Sequence, residues 1–241
     1  METMTSSRRR PRLAVVFALL AVSGGLTAAY SVGAAPAQPV VQEAAAVSMA
    51  HNHGSGNSKS VPAAQLELRL GMRTLWAQHM EWTRLAVVDF ASGSAGFDTT
   101  AGRLLQNQVD IGDAIKPFYG DAAGAQLTTL LQSHITDFVG LFQAAKAQDP
   151  AALETAKAAV YANAQEIADF LAAANPDNWK QDEMRSMMKE HIDQTIAYGS
   201  DELNGRYAEG IATYDQAEQH MLMMADELSD GIINAFPGRF R

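Results

Sequence analysis

From Ala63 onward the chain carries apolar residues at steps of three and four, and nowhere the strict alternation of a half-buried strand. That pattern leaves only helices packed on helices. Prolines and glycines cut it into segments. A first helix is predicted over 64–91, ending at Ser92-Gly93-Ser94. A second, capped by Asp98 or Thr99, must finish before Pro117, and Pro117-Phe118-Tyr119-Gly120 makes a corner. A third runs from Asp121 to about Ala147. Asp149-Pro150 is a cap followed by proline at the first helical position, and it opens a fourth that stops at Asn175-Pro176. A fifth follows Trp179 to about Tyr198, and a sixth extends to about Ala235, before Pro237. One unbroken helix over 180–235 would reach about 80 Å, against roughly 40 Å for its partners, so a break is expected between Gly199 and Gly205. The prediction is an all-α fold, an antiparallel bundle of five to six helices over 64–236.

Residues 1–35 have the form of a signal peptide or membrane anchor. Arg8, Arg9, Arg10 and Arg12 precede an apolar run, Leu13 to Val22, and small residues follow. Ser7-Arg8-Arg9 leaves a twin-arginine route open, although Pro11 fits it poorly. Uncleaved, residues 13–30 are long enough to tether the chain to the cytoplasmic membrane. Residues 36–63, rich in Ala, Ser, Gly, Pro and Gln, read as a flexible linker. Within it His51-Asn52-His53 is a polar spacer, or a Cu(II) or Ni(II) site should cleavage fall after Ala50. The expected location is extracellular or in the cell envelope.

Charge narrows the function classes. Losing residues 1–35 removes four arginines and Glu2, so a formal charge of −9 becomes −12. Nucleic-acid binding needs a basic footprint and is excluded. The chain has no cysteine, which removes disulfides, thiolate metal sites and cysteine nucleophiles. There is no phosphate-cradling glycine loop, nucleophile elbow or HExxH pair, and no positive sign of catalysis.

Polar residues in the apolar seams carry the functional signal. The first helix counts Leu68, Met72, Leu75, His79, Trp82 and Ala86 on one stripe, with histidine near the middle. The third counts Leu127, Leu131, His134, Phe138 and Leu141; the fifth Met184, Met188, His191, Thr195 and Tyr198. The fourth puts Asn163 at the corresponding height. The sixth, counted through Tyr207, Ile211, Tyr214, Glu218, Met221, Ala225, Leu228 and Ile232, puts Glu218 there. Midpoints of antiparallel helices lie at similar heights, so these groups are expected to meet. Each unpaired buried polar group costs on the order of 1–3 kcal/mol, which argues that they satisfy one another.

One reading makes His79, His134, His191 and Glu218 ligands to a transition metal, Zn, Cu, Fe or Mn, with Asn163, Thr83 and Thr195 behind them. The competing reading is a hydrogen-bonded network that fixes helix register with no ion, in an envelope-associated interaction module. A third uses Trp76, Trp82 and the tyrosines to line a small-ligand or haem cavity. Glu-x-x-His, the di-iron signature, is missing: Trp76, Leu131 and Met188 stand three before the histidines. Met184, Met187 and Met188, and Met221, Met223 and Met224, would suit Cu(I), but core packing explains methionine as simply.

The segments LWAQHMEWTR, KPFYG, YANAQEIADFLAAANP, MMKEHIDQT and YDQAEQHMLMMADEL, in this order, resemble a family of exported or membrane-anchored bacterial helical-bundle proteins. The resemblance covers roughly 70–235. It implies an all-helical bundle and carries no catalytic residue onto this chain.

Overall fold

A computed structural model describes residues 61–241. The expected leader, and the linker up to residue 60 with its His-Asn-His, lie outside the described residues. Six helices follow one another: α1 (Ala63–Ser92), α2 (Phe97–Tyr119), α3 (Asp121–Ala147), α4 (Pro150–Ala174), α5 (Gln181–Leu203) and α6 (Tyr207–Ala235), with a final single turn, Pro237–Arg239. The described residues contain no strand, and none of their helices is long and apolar enough to cross a membrane.

The connections are short, so sequential helices run antiparallel. Gly120 alone joins α2 to α3, in a conformation with φ of 87° that favours glycine. Asp149 caps α4 as its sequence requires, Oδ1 accepting from the N–H groups of Ala151 and Ala152 at 3.1 and 3.0 Å. Two boundaries differ from expectation. Helix α2 continues through Pro117 to Tyr119, because a proline so near the end forfeits a single intrahelical bond, and Gly120 N–H still reaches the Lys116 carbonyl. Helix α5 runs unbroken through Gly199. It ends at Leu203 rather than about Tyr198, and the turn comes at the far end of the stretch expected to break, at Asn204-Gly205-Arg206, with Gly205 at φ of 70°.

Each helix packs on its sequence neighbours and α6 closes the ring against α1, where Arg69 pairs with Asp230 and Arg73 with Asp226. Across the interior, α5 also touches α1 and α3. Those are the three helices that carry the seam histidines.

The packing exposes an internal repeat. The three seam histidines lie 55 and 57 positions apart, and three helical hairpins, α1–α2, α3–α4 and α5–α6, bury matching positions around them. Three residues before the histidines come Trp76, Leu131 and Met188; seven before, Met72, Leu127 and Met184; one after, Met80, Ile135 and Ile192. All are buried. The returning helices match equally well, through Leu104, Val160 and Ala217, then Ile111, Ile167 and Met224, then Ile115, Leu171 and Leu228. The bundle is a hairpin used three times about one interior axis, each copy hiding its apolar stripe against the other two.

Candidate functional site

His79, His134 and His191 are each 2 % exposed. Their rings meet through the middle one: His79 and His191 have centroids 5.8 Å apart, His134 and His191 5.6 Å apart. Three helices thus bring three imidazoles together from residues far apart in sequence. Of the two tryptophans flanking His79, Trp76 packs edge-on against its ring at 5.7 Å, while Trp82 turns outward beneath the Arg103 guanidinium.

Each hairpin braces its histidine in the same way. The returning helix donates a hydrogen bond to the carbonyl four residues before it. Asn107 Nδ2 donates to Leu75 O and Asn163 Nδ2 to Leu130 O, both at 3.1 Å, and His220 Nε2 donates to Met187 O at 2.9 Å. His220 is therefore the third counterpart of Asn107 and Asn163, and the α6 side chain that reaches the layer. It is 5 % exposed, near enough for a charge on it to act on His191, with its Nδ1 3.7 Å from the Glu190 carboxylate.

The stripe that nominated Glu218 holds at Tyr214, Met221, Ala225, Leu228 and Ile232, which are buried, and fails in its first turns, where Tyr207 and Ile211 are 64 % and 57 % exposed. Near the height of Glu218 the buried positions are Ala217, His220 and Met221. Glu218 is half-buried and lines a separate cleft of about 480 Å³ with Glu81, Arg84, Tyr198, Glu202 and Tyr214. The structure brings the three histidines together and leaves Glu218 apart. Small residues facing inward and bulky ones facing outward misled the count; the signal for His220 was its place in the repeat.

Hydrogen bonds assign proton positions. Asn163 has its amide nitrogen on Leu130 O, so its Oδ1, 3.1 Å from His134 Nδ1, accepts from it. His134 Nε2 is left with a lone pair. Gln108 has its amide nitrogen on Leu104 O at 2.8 Å and also donates to His79 Nδ1 at 3.2 Å, which puts the His79 proton on Nε2. His191 Nδ1 and Gln108 Oε1 have no partner in this layer, nor has Nε1 of Trp76, which packs on the His79 ring. Burial keeps all three rings neutral. It lowers His79 to about 3, helped by repulsion from His134, and His134 to about 4, against the opposing hydrogen bond from Asn163. His191 is held well below the usual histidine range by burial and by the neighbouring histidines.

Beyond the rings lies a cavity of about 50 Å³. The imidazoles close one end; Val87, Leu104, Ile135, Phe138 and Phe142 form its inner wall, and Phe90, Phe97 and Ala101, half-buried, its outer side. Phe142 reaches the wall because its counterpart on α5 is Gly199, where a Cβ would overlap the phenylalanine ring. That contact explains why the glycine expected to break α5 lies inside it. Thr83 also lines the cavity, with its Oγ1 buried and without a partner, whereas Thr195 Oγ1 donates to His191 O at 2.8 Å. No methionine is among the residues lining it.

Among the described residues no three His, Asp or Glu side chains stand, as they are, in a complete metal-holding group. Two imidazoles on one ion, with metal–nitrogen bonds of about 2.0–2.1 Å, place their centroids roughly 5–5.5 Å apart, so the observed spacings are a few tenths of an ångström wide. Compared with protein-family models, curated proteins and solved structures, the chain matches none.

Proposed function

We propose that the bundle binds one transition-metal ion where His79, His134 and His191 meet. The observation that carries this reading is His191 Nδ1, a buried ring nitrogen with no partner, flanked by neutral imidazoles from two other hairpins. An orphan of this kind costs about 1–3 kcal/mol, and an ion relieves it. His134 already has the arrangement usual for a metal-bound imidazole, its Nδ1–H held by Asn163 and its Nε2 free. His79 needs one change. Its proton must move to Nδ1, with Gln108 turning its unpaired Oε1 to accept it. Neutral ligands in an apolar surround favour a low ionic charge, so Cu(I) fits better than a divalent ion. Glu218 has no part in this set. The arginine-then-apolar leader supports export of such a protein.

Metal titration of the purified chain tests the reading. One equivalent of Cu(I) or Zn(II) is expected to bind, with X-ray absorption reporting nitrogen neighbours near 2.0 Å. Asn163→Leu should weaken binding by about 10–100-fold. A chain that takes up neither ion, and whose melting temperature neither ion moves, would sink it.

A second reading has its own support. Asn107, Asn163 and His220 each cross to a neighbouring helix's carbonyl without any ion, as a register-fixing layer would require. It expects a triple apolar replacement of the three histidines to keep the fold and its stability. The cavity beside the imidazoles is too small for haem, since pockets for ligands of drug size need about 300–1,000 Å³.

A further inference from the structure

The cavity has a chemistry of its own. One end is capped by three neutral imidazoles and the walls are aromatic and aliphatic. Within this lining Thr83 Oγ1 is a hydroxyl with no partner. Its counterparts in the repeat, one turn after each histidine, are Phe138 and Thr195, and Thr195 spends its hydroxyl on the His191 carbonyl. Thr83 alone is left to address whatever enters.

Size restricts the occupant. One water needs roughly 10–15 Å³ in this measure and a benzene ring about 150 Å³. About 50 Å³ therefore admits a molecule of two or three atoms beside an ion and rejects a ring. Charge restricts it further. No carboxylate, lysine or arginine is among the lining residues, so an anion or cation would enter without compensation. An uncharged molecule enters without that cost. The half-buried Phe90, Phe97 and Ala101 put the cavity's outer side beside the turn between α1 and α2.

We infer that this cavity receives a neutral diatomic molecule, of the size and polarity of dioxygen, nitric oxide or carbon monoxide, bound between the imidazole-held ion and the Thr83 hydroxyl. The inference rests on the metal reading for the ion, and on the cavity alone for the space. Only binding is proposed; no electron transfer to the ligand is invoked.

Xenon and carbon monoxide separate the two parts. Metal-free protein under xenon should show saturable uptake at one site by xenon-129 NMR, weakened at least tenfold by Ala101→Phe, which fills the cavity. Val139→Phe serves should that variant fail to fold. The Cu(I)-loaded protein under carbon monoxide should give one sharp C–O stretching band, and Thr83→Val should move it, because the hydroxyl's hydrogen bond to the bound ligand is lost. Absence of xenon uptake overturns the inference whatever copper does. Copper bound with no carbonyl band also overturns it, and a band that Thr83→Val leaves in place overturns the role of the hydroxyl. Xenon uptake by a chain that binds no copper overturns the metal reading alone and supports the cavity as a gas site.

Discussion

The interior of the bundle differs on the two sides of its histidine layer. Toward the start of α1, α3 and α5, all three hairpins contribute a large apolar side chain at several matching positions, as at Trp76, Leu131 and Met188 or Ile111, Ile167 and Met224. The space left there is about 20 Å³. Toward the other end the matching positions alternate in size, Thr83 with Phe138 and Thr195, Val87 with Phe142 and Gly199, and about 50 Å³ stays open. The same hairpin, repeated, builds a packed half where its copies agree and a hollow half where they diverge.

The layer between the halves should be the most acid-sensitive part of the molecule. Unfolded, its three histidines titrate near 6.5; folded, they stay neutral to about 3 for His79, about 4 for His134, and well below 6.5 for His191. Below pH 6.5 the unfolded chain thus binds more protons, and stability falls as pH falls until the folded values are reached. Near pH 4.5 the loss is on the order of 5 kcal/mol for His79 and His134 together, comparable to the whole stability of many domains, and His191 adds to it in the same direction. Urea midpoints of metal-free protein should drop steeply between pH 7 and pH 5, and a His79→Gln, His134→Gln, His191→Gln variant should flatten the profile. A wild-type profile already flat over that range would mean the rings are not held neutral.

The contrast in packing comes next in size. Ile111→Ala, in the tight half, should cost about 3–4 kcal/mol, and Val87→Ala, beside the existing cavity, about 1 kcal/mol. Equal losses in chemical denaturation would erase the distinction between the halves. Asn163→Leu should cost about 2 kcal/mol, since it strips the partner from His134 Nδ1 and the cross-helix bond from Leu130 O. The smallest effect has the opposite sign. Thr83→Val removes an unpaired buried hydroxyl with little change of shape and should raise stability by up to about 1 kcal/mol. A measurable loss would mean that Thr83 is already hydrogen-bonded in solution.

Much of this was legible where bulky residues face inward. The stripes on α1, α3 and α5 gave the histidines their correct heights because Met72, Leu127 and Met184, each seven residues earlier, are large and buried. On α6 the same count succeeded from Met221 onward and failed before it, at Tyr207, Ile211 and Glu218. Close packing there uses Ala217 and Gly210, the latter against the Glu202 side chain, while Ile211 and Tyr207 face outward, and hydrophobicity alone cannot rank a buried glycine above an exposed isoleucine. Gly199 misled for a related reason: it reads as a breaker, yet inside α5 it makes room for Phe142. The repeat was visible in principle as TLWAQHM, TLLQSHI and SMMKEHI. Its outward positions share little chemistry, since solvent imposes few demands, and so the kinship stays confined to interior residues until their burial is known.

Fusing three hairpins into one polypeptide has a consequence for how such a molecule can change. In a trimer of separate identical hairpins any substitution would appear three times around the axis, so a single phenylalanine or glycine in a ring of otherwise different residues would be unattainable. Joined end to end, each hairpin mutates alone. One lobe can surrender bulk, another keep it and a third offer a hydroxyl, all without loosening the far end where the three still agree.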